Sequence, residues 1–376
     1  MNKFEEIILA SKKHKELLWK NYAHDGLKRV YSRIKNPKHE INATFLLSVE
    51  TANELCALLK LNINEVERAM NYPLYLQFLI EKKNGDKRQI SAPSPVLKRL
   101  QKHLNYFLQG YYLYAKPANV YGFVINPIYQ GKTCNIAENA RNHVGKKYVL
   151  NIDLLDFFNH IKSKQIKELF SSPIFDFTDE IATALTLLTT YKGRLPQGAP
   201  TSPVISNFIC LQLDADLKQF TDEASLTYSR YADDLTFSSN TKIENDVVLD
   251  IINIIQKNQF RINERKLHQH SKNSKQTVTG VVVNEKVNVD RRFIKKTRAM
   301  LHDMIKNDVD VATKNHFKID GEIDSKQRAF FIHRLEGYIN FIGQVRGKND
   351  FMYVRFKKEF DFFFSTEIIE LVNDIH

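Results

Sequence analysis

The chain has 376 residues, 43% hydrophobic and 26% charged, enough apolar material for a substantial core in one large domain or in two or three subdomains. That balance excludes a disordered chain, and no apolar run approaches the roughly 18–20 residues that span a bilayer. The formal charge of +12 points to a polyanionic partner, and the excess is uneven: residues 1–110 hold 19 Lys and Arg against 11 Asp and Glu.

The first 70 residues read mostly as helix, with period near 3.6 and no Pro in Phe4–Ala10 and Ala52–Leu59. The acids Glu5 and Glu6 stand where a signal peptide has a basic start, so a cytoplasmic protein is expected. Tyr75–Ile90 reads as two short strands around Asn84-Gly85-Asp86, a hairpin signal. Tyr148–Asp153 is a strand running into a helix, Tyr228–Ser238 alternates as a second hairpin, and Thr277–Asn284 is a further strand. After Arg291 the pattern is helical to the end, with Leu335, Tyr338, Ile339 and Ile342 as a core stripe. Helices, a small hairpin, a central mixed region and more helices suit an α+β core with flanking helical subdomains. Cys56, Cys134 and Cys210 lie far apart and form no C-x-x-C, so buried inert thiols are expected and a zinc-bearing appendage is not.

Tyr231-Ala232-Asp233-Asp234 puts two adjacent acids at a tight turn between strands. Such a turn is costly unless it is solvated or meets cations, and divalent metal is the natural compensation. Alone, the four residues suit a solvated turn better, since short motifs recur by accident. Asp153, ending its own strand before Leu154-Leu155-Asp156-Phe157-Phe158, changes the balance, because an acid there could share two ions with the hairpin. Leu195-Pro196-Gln197-Gly198-Ala199-Pro200-Thr201-Ser202-Pro203 supplies a shaped turn and a helix start, with Ser or Thr as cap and Pro in the first turn.

These three segments, in this order, resemble successive palm motifs of reverse transcriptases. Arg88-Gln89-Ile90-Ser91-Ala92-Pro93 resembles the fingers segment of the bacterial members, and Phe260–Asn263 through Lys266 the next palm motif. The resemblance implies a right-hand polymerase with a helical N-terminal region at 1–70, fingers at 71–147 with part of the palm interleaved, a palm at 148–289 and a helical thumb at 290–376. It further implies two Mg²⁺ ions on Asp153, Asp233 and Asp234, Arg88 on the triphosphate of a dNTP and Gln197 against the incoming nucleotide. Phe158 falls at the family's steric gate against a ribose 2′-hydroxyl, with helix core as its other reading. Lys266 is either the acid that protonates pyrophosphate or an exposed structural lysine.

Asn139-Ala140-Arg141-Asn142-His143 (N-A-x-x-H) and Val278-Thr279-Gly280 resemble hallmarks of retron reverse transcriptases. Those enzymes make a branched RNA–DNA hybrid, msDNA, from their own structured noncoding RNA and a 2′-hydroxyl primer, commonly in antiphage defence with an effector protein encoded nearby. Asn139, His143 and Thr279 are then expected on the nucleic acid, although His143 also suits a satisfied helix histidine. Arg291, Arg292, Lys295, Lys296 and Arg298 place five cations within eight residues; at helical spacing 291, 295 and 298 share a face, as do 292 and 296. They form either a solvated face or a stripe that follows phosphates. Tyr121 before Gly122-Phe123 and Gly131-Lys132-Thr133 depart from the family's pattern, leaving the retron subtype open. Asn126 excludes a P-loop ending at 131–133. Two other readings stay open: another bacterial reverse transcriptase, free-standing or like those of group II introns, and a catalytically silent RNA-binding scaffold.

Overall fold

The computed structural model describes residues 38–81, 85–125 and 133–373, with side chains described as far as 365. Phe4–Ala10, Asn84, Asn126 and the pair Gly131-Lys132 lie outside the described residues. The architecture is α+β, and the chain divides into two compact units. One comprises Met1–Cys134, Leu150–Phe237 and Ile243–His268; the other comprises Asn135–Val149, Ser238–Lys242 and Gln269–His376.

The first unit opens on α1 (Lys38–Leu47), α2 (Ala52–Leu59) and α3 (Ile63–Asn71). Capping boxes start two of them, Thr51 with Glu54 and Asn62 with Glu65, each pairing orphan amides of a first turn with side-chain oxygens. The expected hairpin follows as β1 (Tyr75–Glu81) and β2 (Lys87–Pro93), antiparallel with Phe78 opposite Ile90. Ser94-Pro95 then opens α4 (Pro95–Ala115), whose Leu97, Leu100, Leu104, Phe107, Leu108, Tyr111 and Tyr112 face inward at helical spacing.

After α5 (Ile136–Arg141), β3 (Tyr148–Asp153) carries the first acid at its end. The helices α6 (Phe157–His160), α7 (Ser163–Ser171), α8 (Asp179–Thr189), α9 (Ser202–Ile209) and α10 (Leu211–Glu223) lead to β4 (Thr227–Tyr231) and β5 (Asp234–Ser239). Next come α11 (Asn245–Lys257), a 3₁₀ turn at Glu264–Lys266 and β6 (His268–Ser271). These strands form a four-stranded sheet in the order β4-β5-β3-β6. Thr201 makes no side-chain cap at the start of α9. Ser202 Oγ instead donates to the Pro196 carbonyl at 2.6 Å, so this hydroxyl ties the turn to itself.

In the second unit the strand expected over Thr277–Asn284 is a miniature hairpin, β7 (Thr277–Val278) and β8 (Val281–Val282), with Val278 opposite Val281. Thr279 (φ 48°) and Gly280 (φ 83°) make its two-residue loop, and a loop with positive φ at both positions matches the twist of the flanking strands. The run of β-branched residues hid this reversal. The remaining helices are α12 (Arg291–Asn307), α13 (Val309–Phe317), α14 (Ser325–Arg346) and α15 (Phe351–Asn373). Their core holds Met300, Leu301, Met304, Phe331, Leu335, Ile339, Ile342 and Phe356. Asp290, Asp308 and Asp324 cap three of these helices through their carboxylates. Cys56 and Cys210 are buried, while Cys134 is half-exposed, contrary to expectation. No helix among the described residues is long and apolar enough to cross a membrane.

Candidate active site

The acids meet within the first unit. Backbone bonds join the end of β3 to the hairpin turn, Leu154 N donating to Asp233 O (3.0 Å), and to the start of the 3₁₀ turn, Asn263 N donating to Asp153 O (2.8 Å). The turn is formed by Ala232 and Asp233. Ala232 has φ 60°, a left-handed conformation that costs an L-residue about 1–3 kcal/mol and persists where its surroundings impose it.

Those surroundings are close. Tyr121 N donates to Arg230 O at 3.0 Å. Gly122 lies so near that a Cβ on it would sit 2.4 Å from Ala232 N. Arg230 is wholly buried and forms a bidentate pair with Asp214, Nε to Oδ1 at 2.8 Å and Nη2 to Oδ2 at 2.6 Å. Its Nη1 donates to Asn207 Oδ1 (3.0 Å) and to Ala232 O (3.1 Å). Asn207 Nδ2 donates to Gly122 O (3.0 Å), and Tyr228 OH donates to Asp214 Oδ1 (2.9 Å).

Burial, and then the neighbouring Asp153 carboxylate, raise the Asp233 carboxyl above its ordinary range. Asp234 is pushed up to about 7 by burial first, then by Asp233 and Asp153. Lys266 Nζ lies 2.6 Å from Asp153 Oδ1, and Asn263 Nδ2 approaches Oδ2 at 3.5 Å. The ammonium is held above its ordinary range: burial opposes this, and the bond to Asp153 and the three acids outweigh it. Among the described residues no three His, Cys, Asp or Glu side chains converge as a ready-made metal cage. Asp153 is turned instead to Lys266.

The other expected residues of this site fall around it. Arg88 is exposed on β2 and lowers the Asp233 carboxyl electrostatically. The Gln197 carbonyl accepts from Ser91 N (2.8 Å), and Gly198 (φ 127°) presses on Ser91 O where a Cβ would stand at 2.8 Å. The loop at 195–203 is thereby docked on β2. Of the two phenylalanines of α6, Phe157 is buried in the core and Phe158 half-buried, its ring 5.8 Å from that of Phe123.

The second unit holds the rest. Asn139 and His143 are fully buried, not on a surface. His143 Nδ1 lies 2.7 Å from Ser238 Oγ, and burial pushes the imidazole down to about 3, so it is neutral near pH 7. The amide atoms of Asn139 have no hydrogen-bond partner. α5 packs on β7 and β8, which puts the Asn139 helix against the Thr279 turn. Arg291, Arg292, Lys295, Lys296 and Arg298 are all exposed on α12, whose Thr297, Met300, Leu301 and Met304 face the core.

The sequence expectations gave no role to Gly122, Asn207, Asp214 or Arg230. Two signals pointed to them: an arginine inside the apolar strand Tyr228–Tyr231, and an aspartate beside Leu213 and Leu217 on a helix face.

The sequence profile described as reverse transcriptase (RNA-dependent DNA polymerase) matches residues 80–283. The Retron Ec86 reverse transcriptase of Escherichia coli is 32% identical over 324 residues, covering 84% of this chain and 92% of that protein. The Retron Mx162 reverse transcriptase of Myxococcus xanthus is 29% identical, covering 75% of this chain and 64% of its own length. A telomerase structure from Candida albicans aligns over 80% of this chain and 66% of its own at 11% identity, with a TM-score of 0.43. With more than half its length inside the family profile, the chain belongs to the reverse transcriptases, RNA-directed DNA polymerases. Its type among them is the bacterial retron type.

Proposed function

We propose that this chain reverse transcribes its own structured noncoding RNA, starting from a 2′-hydroxyl of that RNA, and leaves a branched RNA–DNA hybrid. The observation that carries the chemistry is the meeting of Asp153 with Asp233 and Asp234, drawn from two strands some eighty residues apart in sequence. Fingers at 71–147, palm at 148–289 and thumb at 290–376 are the assignment that goes with it. The product serves antiphage defence with an effector encoded nearby, in the cytoplasm.

The donor set suits two Mg²⁺ ions: hard carboxylate oxygens, two of them destabilised as bare anions by burial and mutual repulsion. Bound there, the ions would acidify the attacking hydroxyl and neutralise charge on the departing pyrophosphate. Asp153, Asp233 and Asp234 hold that charge at the ends of rigid strands. Lys266, paired with Asp153, would supply a proton to the pyrophosphate. Arg88 meets the triphosphate, and Gln197, fixed by its carbonyl to β2, faces the nucleotide. Asn139 and His143, being buried, support the Thr279 turn, and that turn and the α12 cations meet RNA phosphates.

Protein expressed with its native locus is expected to co-purify with one specific RNA joined to single-stranded DNA through a 2′–5′ branch. Ribonuclease and debranching treatments resolve that species on a gel. Heterogeneous RNA with unbranched DNA would sink the branched-product reading and leave the polymerase activity standing.

Sugar selection gives a second expectation. Phe158→Val should raise ribonucleotide relative to deoxyribonucleotide incorporation by on the order of tenfold, about 1.4 kcal/mol of lost clash. An unchanged ratio in an active variant returns Phe158 to the core.

A further inference from the structure

Among the described residues Arg230 heads the fully buried side chains by size. Enclosing a guanidinium is expensive, and a well-packed apolar side chain of similar volume often serves stability as well or better. A chain that keeps the arginine therefore uses it for something an apolar residue cannot do. Its hydrogen bonds show what that is. Two go to Asp214 on α10 and one to Asn207 on α9, which fixes the plane of the guanidinium. The remaining one goes from Nη1 to the carbonyl of Ala232, the residue immediately before Asp233.

Ala232 is the left-handed residue of the turn. The peptide on its N-terminal side is pressed by Gly122, with no room for a Cβ, and the peptide on its C-terminal side is held by Arg230. Asn207 joins the two holds, since it accepts from Arg230 and donates to the Gly122 carbonyl. With both flanking peptide planes fixed, the direction in which Asp233 and Asp234 leave the turn is fixed too. A lysine could not substitute, having one nitrogen on a flexible stem where a rigid fork must serve a carboxylate and two other acceptors together.

We propose that Arg230, with Asp214 as its countercharge, is a positioning residue that aims Asp233 and Asp234 at their ions. This rests on the reading of those acids as metal-bearing groups. The test uses full-length protein and two variants, Arg230→Lys and the triple Arg230→Met, Asp214→Leu, Tyr228→Phe. The triple removes the whole buried charge network, including the tyrosine hydroxyl that Asp214 serves, and exchanges it for apolar contacts.

Three readouts are taken besides primer extension: thermal midpoint, Mg²⁺-induced stabilisation, and hydrogen exchange of the amides from Tyr231 to Asp234. The triple variant is expected to keep a near wild-type midpoint in metal-free buffer and to bind primer–template as before. Its turn amides should exchange faster, and the Mg²⁺ needed for half-maximal stabilisation should rise on the order of tenfold. Extension should slow by about a hundredfold, as for a small misplacement of reacting groups. Arg230→Lys should shift the same readouts in the same direction. A folded triple variant with wild-type exchange and Mg²⁺ requirement would make Arg230 a packing residue and overturn the proposal. So would failure of both variants to fold. Wild-type protein with neither Mg²⁺-induced stabilisation nor Mg²⁺-dependent extension would overturn the reading of the acids as well.

Discussion

Asp233→Asn is expected to lower nucleotide incorporation roughly a thousandfold while leaving the protein as stable as before or more so. The loss follows from removing one fixed negative charge at the point where charge develops in phosphoryl transfer. The gain follows from burial. A carboxyl whose folded pKa is raised contributes stability that is present below its unfolded pKa and lost as pH rises through the folded one. At neutral pH the wild-type protein has therefore forfeited part of that contribution, and an amide, which never ionises, has not. The amide also keeps the volume, and the Asp233 carbonyl that accepts from Leu154 N is unaffected. Primer extension and metal-free thermal denaturation on the same preparation check both halves. Near wild-type extension would remove Asp233 from the chemistry, and a marked drop in midpoint would make it a structural residue.

What the sequence disclosed and what it hid divide along a physical line. The turn at Ala232-Asp233 was legible because strand alternation on both sides and two adjacent acids are local patterns. Asp153 was legible because it ends a strand and begins a turn. Phe158 and Phe157 could not be told apart from spacing. Their difference is that Phe157 stacks on Phe260, a hundred residues on, while Phe158 keeps part of its ring open. Arg230 and Asp214 were invisible as a pair for the same reason: a helix residue and a strand residue meet only once α10 has packed on β4. Asn139 and His143 carried a family signature, and a signature says that a residue matters without saying whether it faces solvent. The hairpin at Thr279-Gly280 was missed because valines on both sides of a two-residue loop read as one strand.

Gly122→Ala is expected to cost more activity than any other single methyl added to a glycine among the described residues away from the left-handed positions. The added Cβ would meet Ala232 N at 2.4 Å, the Tyr231 carbonyl carbon at 2.9 Å and Tyr231 Cα at 3.1 Å. All three are backbone, so no rotamer change relieves the clash. Nor can the segment simply withdraw, because Tyr121 N is bonded to Arg230 O and the Gly122 carbonyl is held by Asn207. The turn must move, carrying Asp233 and Asp234 with it. Overpacking of this kind costs about 1–3 kcal/mol of stability. The larger effect is on catalysis, about a hundredfold for a displacement approaching 1 Å. Gly337→Ala, at an exposed position of α14 with nothing within 4 Å of its Cβ, is the matched control. It should leave extension unchanged and add about 0.5–1 kcal/mol through helix propensity. Equal activities for the two variants would show that the turn has room to spare, and the close approach of Gly122 would then have no part in placing the acids.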